Sequence, residues 1–351
     1  MVSPKPLGGG RFSRIFMQRQ FVHSYSDVIS IENLLAAWRE FALGKSQKHD
    51  VQDFRLHLID NIIQLHEDLA NRSYKHGNYY NFAISDPKPR QIHKASVRDR
   101  VLHHAIYRLF YPAYDDLFIA DSFSCRIAKG THKAMDRFQT MANRVSKNNT
   151  QSCWVLKCDI KKFFASIDHK VLIEILQRNI PDSEVLWLLR NVIDSFSIYT
   201  QGRGLPLGNL TSQLFCNVYL NELDQFVKHK LKAKNYIRYA DDFVFLSEDK
   251  RWLEQQIPRV QEFLTEKLKL SLHPNKIYIK SFASGVDFLG WVHFPKYKTL
   301  RNTTKRRMLK RIIDVPKIEA LESYLGLLKH GNTQKIKEKL LNNFWLNHLI
   351  Q

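Results

Sequence analysis

Two aspartates inside an otherwise apolar segment constrain this chain more than any other feature. Asp241 and Asp242 separate the run Tyr236-Ile-Arg-Tyr-Ala240 from the run Phe-Val-Phe-Leu at 243–246. Two short runs rich in aromatic and β-branched residues around a polar break predict a hairpin with both carboxylates at its tip. An Asp-Asp pair is also common in turns for conformational reasons alone. On a mostly buried sheet, however, acids are costly unless a cation accompanies them.

A third acid, Asp159, ends the short run Trp154-Val-Leu-Lys-Cys-Asp159, which predicts a strand. Phosphoryl transfer between nucleotides uses two Mg²⁺ ions about 3.5–4 Å apart, which activate the attacking oxygen and neutralise the leaving pyrophosphate. Magnesium prefers one or two protein carboxylates together with substrate phosphates. One acid at a strand end, facing two acids on a neighbouring hairpin, therefore predicts a site for two Mg²⁺ ions, which Mn²⁺ can replace.

The charge of the chain predicts a polyanionic partner. Its 351 residues include 54 lysines and arginines against 34 acids, a formal net charge of +20, and 44% are hydrophobic, which favours a folded chain. Residues 1–20 carry four basic residues and no acid, and residues 301–311 carry six. Both segments can be solvated surface. The carboxylate hairpin upstream favours a tail and a helical clamp that bind nucleic acid.

The four cysteines form no C-x-x-C pair, which excludes the common structural zinc sites and is typical of reduced thiols in a cytosolic protein. Apolar runs stay well below the roughly 18 residues of a membrane span, and the first residues do not resemble a signal peptide. We therefore expect a cytoplasmic protein without a membrane partner.

Several further elements follow from the sequence pattern. Apolar residues at helical spacing predict two or more helices in 31–71. Residues 79–85 and 90–96 predict two strands joined by the turn 86–89. We also expect helices over 97–111 and 210–226, and one that begins after Asp168 as its N-cap.

Four segments occur in the order in which reverse transcriptases carry their palm motifs. They are Asp159-Ile-Lys-Lys-Phe-Phe164, Gly204-Leu-Pro-Leu-Gly-Asn-Leu-Thr-Ser-Gln213, Tyr239-Ala-Asp-Asp242 and Phe288-Leu-Gly-Trp291. Over about residues 75–300 the chain resembles that family. The resemblance implies an α+β, right-hand polymerase with fingers, a palm built on an antiparallel sheet, and a helical thumb. The implied divisions are a basic tail and helical N-terminal extension (1–74), fingers (75–152), palm (153–295) and a basic helical thumb (296–351).

The segment 207–213 departs from the commoner family pattern, which has Gln before the glycine and Ser-Pro at its end. This chain has Leu207 and Ser212-Gln213. Together with residues 124–132, this form most resembles the bacterial reverse transcriptases of diversity-generating retroelements. Bacterial reverse transcriptases tied to phage defence, which copy a small non-coding RNA, resemble it next.

The resemblance also implies site residues. Metal ligands fall on Asp159, Ile160, Asp241 and Asp242, and Lys276 falls near the leaving pyrophosphate, where it could supply a proton. Lys276 could equally be one of many surface lysines. The basic residues expected to bind nucleic acid in the thumb are Arg301, Arg306, Arg307, Lys310 and Arg311.

Residues around the incoming nucleotide follow from the same resemblance. Arg90 would grip the triphosphate with its bidentate fork, although it could be an ordinary exposed arginine. Phe164 would block a ribose 2′-OH, and either Phe163 or Phe164 should belong to the core. Gly208, like Gly204, would let the backbone approach the nascent base pair, and Gln213 would lie near the template nucleotide. Turn glycines and a core amide are the alternatives.

The expected partners are template RNA, primer or cDNA, deoxynucleoside triphosphates, and either a small basic accessory protein or a non-coding RNA. About 60 residues follow Trp291, too few for a ribonuclease H domain, so template removal would come from elsewhere. An RNA-dependent RNA polymerase usually shows Gly-Asp-Asp and lacks the aromatic gate at Phe164. An inactive nucleic-acid-binding scaffold would need no triad of acids.

Overall fold

The computed structural model describes residues 21–84, 89–198 and 200–348. The basic tail 1–20, the last residue (85) of the expected strand 79–85, and residues 86–88 of the expected turn lie outside these ranges. The described part of the chain contains fourteen α-helices and nine β-strands in antiparallel sheets. This mixture confirms the α+β prediction.

Four helices precede the first strand: α1 Tyr25–Ile29, α2 Ile31–Ala42, α3 His49–Leu56 and α4 Leu58–Ala70. They pack with α5, Val97–Asp115, through buried side chains that include Leu34, Leu65 and Ile106. The helices expected in 31–71 and over 97–111 are thereby confirmed. Helix α5 continues past Tyr111, with Pro112 inside its last turns.

A hairpin of β1, Tyr80–Ile84, and β2, Arg90–Lys94, forms a separate two-stranded sheet. Hydrogen bonds of both backbone groups of His93 hold it against the segment 207–209. The N–H of His93 donates to the carbonyl of Leu207 at 3.0 Å, and Nδ2 of Asn209 donates to the carbonyl of His93 at 2.9 Å. Any movement of this hairpin therefore acts on the backbone next to Gly208.

The central sheet has four antiparallel strands in the order β4-β5-β3-β6. Their bounds are β3 Trp154–Asp159, β4 Tyr236–Tyr239, β5 Asp242–Ser247 and β6 Tyr278–Ser281. Alternate residues of β5 enter different cores: Phe243 and Phe245 join the main core, and Val244 packs in a second core with Phe138. The expected carboxylate hairpin and the strand ending at Asp159 are confirmed.

Helices flank this sheet. In chain order they are α6 Thr131–Val145, α7 Phe163–Ser166, α8 His169–Gln177, α9 Ser183–Asp194, α10 Leu210–His229 and α11 Lys250–Leu268. Asp168 caps α8 as expected, because its Oδ1 accepts the N–H of Val171 at 3.2 Å. Helix α10 begins at the expected residue and runs three residues beyond the expected end at Phe226.

A small three-stranded sheet and three helices complete the described chain. The strands are β7 Val286–Phe288, β8 Trp291–His293 and β9 Lys298–Leu300, and the helices are α12 Asn302–Asp314, α13 Ile318–Leu327 and α14 Gln334–His348. Trp291, Met308, Ile312, Leu340 and Phe344 form their shared core. Within the described ranges, every helix is too short or too polar to cross a membrane.

Candidate active site

The three acids meet where the strands of the central sheet end. Asp159 is the last residue of β3 and Asp242 the first of β5, and the register pairs them directly. Side chains of directly opposed residues in an antiparallel pair share a face, with Cβ atoms about 4.5–5.5 Å apart. Asp241 occupies the turn before β5, after Ala240, whose φ of 53° is left-handed. The antiparallel pairing thus brings together acids that are far apart in the sequence.

A lysine lies against each of the two opposed acids. Nζ of Lys276 is 2.8 Å from Oδ1 of Asp159, and Nζ of Lys157 is 3.3 Å from Oδ1 of Asp242. Lys157 is buried within β3 and also donates to the carbonyl of Asp287 at 3.2 Å. Among the described residues, no three Asp, Glu, His or Cys side chains converge closely enough to hold a metal ion by themselves. Substrate phosphates would have to complete a coordination shell here.

Burial and mutual repulsion perturb the acids. Burial, together with the negative charges of Asp159 and Asp242, raises the pKa of Asp241 to about 6. Burial also raises the pKa of Asp242, while Lys157 opposes that shift. Oδ1 of Asp242 is buried and, despite the nearby ammonium, makes no hydrogen bond of good geometry. Crowded carboxylates with an unsatisfied oxygen fit divalent cations. Ile160 is buried and apolar, so it could offer a metal only its carbonyl oxygen.

A cavity of about 780 Å³ opens beside the acids. Its wall includes six residues expected at the site: Arg90, Phe164, Gly208, Gln213, Asp241 and Asp242. Phe163 is 2% exposed and belongs to the main core, whereas Phe164 is partly exposed at the wall. Lys276 and the basic residues of α12 are not among the described residues that line the cavity. The structure therefore assembles residues from β2, α7, α10 and the β4–β5 turn around one space.

Both the backbone conformation at position 208 and the nearby strand β2 favour glycine there. Its φ is +109°, and a Cβ atom there would lie 2.9 Å from Cγ2 of Ile92 on β2. A side chain at this position would meet both backbone strain and a neighbouring strand. The glycine thus allows the hairpin to approach the segment that begins α10.

The basic residues near α12 differ in their environments. Arg306, Lys310 and Arg311 are exposed, and Arg307 is partly buried. Arg301, just before the helix, forms an ion pair with Asp287 and is therefore already engaged within the protein. The exposed members form the part of this surface that is best placed to meet a polyanion.

Lys157 and Arg238 were not among the residues singled out from the sequence. Arg238 lies on β4 and is completely buried. The signal that could have found both is a basic residue inside an otherwise apolar strand, since such a charge needs an acidic partner. Asn209 was also missed, because its contact with His93 joins segments far apart in the chain.

Comparison with known proteins shows which family and which relatives the chain resembles. A family model described as "Reverse transcriptase (RNA-dependent DNA polymerase)" matches residues 82–293, more than half of the chain. Protein YkfC of Escherichia coli K12 is 23% identical over 276 residues, covering 67% of this chain and 70% of YkfC.

The Group II intron-encoded protein LtrA of Lactococcus lactis subsp. cremoris is 22% identical over 298 residues, covering 63% of this chain. These residues cover 48% of LtrA, so the chain spans about half the length of that relative. Apo telomerase from Candida tropicalis aligns with a TM-score of 0.48 at 13% identity, covering 70% of this chain and 60% of that one.

Proposed function

Because the chain belongs to the reverse transcriptase family and its enzyme class is RNA-directed DNA polymerase, we propose that it makes cDNA from a specific RNA template. The observation that carries the proposal is the direct pairing of Asp159 with Asp242, with Asp241 beside them on the cavity wall. This arrangement supports nucleotidyl transfer assisted by two Mg²⁺ ions, or by Mn²⁺ in their place.

Each residue then has a task in the reaction. Asp159, Asp241, Asp242 and the carbonyl of Ile160 would hold the metal ions, which activate the primer 3′-oxygen and neutralise the pyrophosphate when bound. Lys276 would give a proton to the leaving group. Arg90 would hold the triphosphate, and Phe164 would exclude a ribose. Gly208 and Gln213 would face the nascent pair and the template nucleotide.

The same proposal divides the chain into fingers (75–152), palm (153–295) and thumb (296–351), after an N-terminal extension (1–74). In this arrangement the primer–template duplex would pass between thumb and palm. We place its phosphates on the basic surface of α12, with contacts from Arg306, Arg307, Lys310 and Arg311, and from Arg301 once its pair with Asp287 opens. The free thiols, of which Cys153, Cys158 and Cys216 are buried, are compatible with a cytoplasmic location.

The test is primer extension on an RNA template by the purified chain. We expect Mg²⁺-dependent synthesis with deoxynucleotides, little synthesis with ribonucleotides, and none by Asp159→Asn or Asp241→Asn. Asp53→Asn, an exposed acid on α3, is the matched control and should retain full activity. Extension by Asp241→Asn at the rate of the control would refute the metal-site assignment. A preference for ribonucleotides would favour an RNA polymerase instead.

For the biological role, we favour a diversity-generating retroelement. The support is the segment 207–213, whose first part is held against the hairpin by the hydrogen bonds of Leu207 and Asn209 with His93. A segment fixed in this way can determine how the template base sits. We expect the wild type to misincorporate opposite template adenines far more often than opposite other bases. The double variant Leu207→Gln/Gln213→Pro, which restores the commoner pattern, should reduce that bias.

Uniform, low error at all four template bases would refute this role. It would favour the second candidate, a defence-associated enzyme that copies a small non-coding RNA. Sequencing the nucleic acids that co-purify with the chain from its host separates the two, because a mutagenised copy of a linked repeat differs from a repetitive product. The polymerase assignment is unaffected by either outcome.

A further inference from the structure

Arg238 is a completely buried arginine beside the catalytic turn. It lies on β4, three residues before Asp241, and its side chain and that of its partner Asp224 on α10 are both 0% exposed. Burying a guanidinium and a carboxylate is costly unless the pair is well directed and the remaining donors are satisfied. An apolar pair of similar volume would fill the same space without this desolvation cost. A role beyond packing would explain why a charged pair is kept next to the active site.

The guanidinium uses donors on all three of its nitrogens. Nε and Nη2 donate to the Asp224 carboxylate at 2.7–2.9 Å, and Nη2 also donates to Oγ of Ser122 at 3.0 Å. Nη1 donates to Oδ1 of Asn217 at 3.2 Å and to the carbonyl of Ala240 at 3.3 Å. Most of these contacts fix the guanidinium, and the last one reaches the turn that carries Asp241.

The backbone of Arg238 is held as firmly as its side chain. Its N–H donates to the carbonyl of Asp121 at 3.0 Å, and its carbonyl accepts the N–H of Phe123 at 3.0 Å. On the other side of the guanidinium, Asn217 and Asp224 are seven residues apart on α10 and so lie on one face of that helix. The donor aimed at Ala240 is therefore attached to a rigid support on both sides.

The turn needs such a support. Ala240 has a left-handed φ of 53°, a conformation that alanine adopts at a cost and keeps only where its surroundings hold it. A charge-assisted hydrogen bond to its carbonyl stabilises the peptide in this orientation. The next residue is Asp241, so the orientation of this peptide sets the direction in which the carboxylate leaves the backbone.

We propose that Arg238 is a positioning residue that acts through the carbonyl of Ala240 to aim the Asp241 carboxylate toward the metal ions. The inference rests on the proposed metal-dependent polymerase function. It extends that function to a residue which touches neither substrate nor metal. A purely structural role would require only the contacts with Asp224, Ser122 and Asn217, and would leave the turn free to adopt its orientation without Arg238.

Arg238→Lys tests the proposal directly. Lysine keeps the charge beside Asp224, but a single ammonium cannot reproduce the fork that spans Asp224 and Ala240. Tyr236→Phe is the matched control, because it removes another buried hydrogen bond to the same carboxylate, of 2.8 Å, and leaves Ala240 untouched. Both variants are compared with the wild type by thermal unfolding, Mn²⁺ binding followed by electron paramagnetic resonance, and steady-state extension.

We expect Arg238→Lys to bind Mn²⁺ more weakly and to lower kcat by about tenfold to a hundredfold, as a small misplacement of a catalytic group does. The KM for primer–template should stay within about twofold of wild type. Tyr236→Phe should lose thermal stability only. Mn²⁺ affinity and kcat equal to those of Tyr236→Phe, in folded Arg238→Lys, would overturn the proposal.

Two further variants test the proposal if Arg238→Lys does not fold. Arg238→Met/Asp224→Leu removes both buried charges together, an exchange that proteins often tolerate, and it should weaken Mn²⁺ binding in the same way. Asn217→Ala removes one contact of Nη1 and should weaken Mn²⁺ binding to a smaller extent. If the Mn²⁺ affinity is unchanged in whichever of these variants folds, the proposal is overturned. Absence of DNA synthesis by the wild type would instead refute the proposed function, and the Mn²⁺ measurements would still decide the role of Arg238.

Discussion

Lys276 and Asp159 are joined twice. Nζ of Lys276 lies 2.8 Å from Oδ1 of Asp159, and the short turn that ends at Lys276 is itself docked on β3, because the N–H of His273 donates to the carbonyl of Asp159 at 2.8 Å. The lysine therefore lies at the cluster of three acids rather than at a random place on the surface. Its ammonium can balance the charge of Asp159.

Replacing Lys276 should slow the chemical step. We expect Lys276→Ala to reduce the single-turnover rate of nucleotide incorporation by about a hundredfold, the lower range for loss of a general acid. Lys276→Arg keeps the charge but holds its proton too tightly to give it up, so it should be nearly as slow. Lys280→Ala, at an exposed position on β6, is the control and should match the wild type. Equal rates for Lys276→Ala and Lys280→Ala would remove Lys276 from the reaction.

Phe164 should determine the choice of sugar. Both Phe163 and Phe164 border the cavity, but Phe163 is only 2% exposed and Phe164 is partly exposed, so Phe164 is the better placed to meet C2′ of a nucleotide. Phe164→Ala should lower discrimination against ribonucleotides by about tenfold or more while the enzyme still incorporates deoxynucleotides. Phe164→Tyr keeps a flat ring and should retain discrimination. Competition between the two sugars on one template measures the ratio, and an unchanged ratio in folded Phe164→Ala would assign the gate elsewhere.

A side chain at Gly208 should disturb the hairpin. In Gly208→Ala the added Cβ must displace Ile92, and the KM for deoxynucleotides should rise as β2 moves away from the cavity. Gly202→Ala is the control, since Gly202 also has a positive φ, of +77°, but open space around it. Ile92→Ala in the Gly208→Ala background should partly restore the KM. If both glycine variants change the KM alike, backbone strain rather than the contact with Ile92 is responsible.

In the absence of metal, the crowding and burial of the three carboxylates should lower the free energy of unfolding. The unfolded chain releases the Asp241 proton as the pH rises past about 4, whereas the folded chain keeps it until about 6. Stability therefore falls between these values and stays lower above them. Asp241→Asn should raise the unfolding free energy at pH 7.5 in EDTA by on the order of 1 kcal/mol.

This gain should shrink as the pH is lowered from 6 toward 4, because the wild-type acid is then neutral too. Chemical denaturation at a series of pH values measures it, with Asp53→Asn as the control. A difference between Asp241→Asn and the wild type that is independent of pH would contradict the assigned pKa.

The exposed face of α12 should contribute to the salt dependence of duplex binding. Arg306 and Lys310 are four residues apart and both exposed, so they lie on one side of the helix. Arg306→Gln/Lys310→Gln should weaken binding and reduce the slope of log affinity against log salt by up to about 1.8, at about 0.9 for each phosphate contact on B-form duplex. Lys267→Gln on α11 provides the comparison. An unaltered slope would mean that this face of α12 meets solvent only.

The parts of the fold that follow from local pattern were predictable. Strand β3 was expected with its observed bounds, and β4 was expected with one residue more, because apolar runs of this length next to polar breaks leave few alternatives. Strands β7, β8 and β9 are three residues each, which is too short for any period to be recognised. Tertiary packing holds them: Val286 and Phe288 of β7 are buried in the core around Phe138, and Trp291 and Leu300 of β8 and β9 in the core with the last helices.

The residues of the candidate site divide in the same way, into those that a sequence pattern indicates and those that only tertiary contacts reveal. The three acids could be predicted from the strand pattern and the chemistry of Mg²⁺, and Phe164 from the family resemblance; the structure places Asp159 opposite Asp242. Neither Asp224, the ion-pair partner of Arg238, nor the Asp287 carbonyl that accepts from Lys157 could be found, since contacts between separate segments leave no local pattern. The sequence thus predicted the candidate reactive residues, and the tertiary contacts show which side chains hold them in place.

The buried lysine of β3 connects the start of α12 to the central sheet at Asp242. Lys157 contacts Asp242 and the carbonyl of Asp287, and the carboxylate of Asp287 pairs with Arg301 at the start of α12. A displacement of Arg301 would therefore be transmitted to Asp242 through Asp287 and Lys157. A phosphate that drew Arg301 away from Asp287 would break this connection, so duplex binding at the proposed α12 surface and the position of the Asp242 carboxylate would depend on each other.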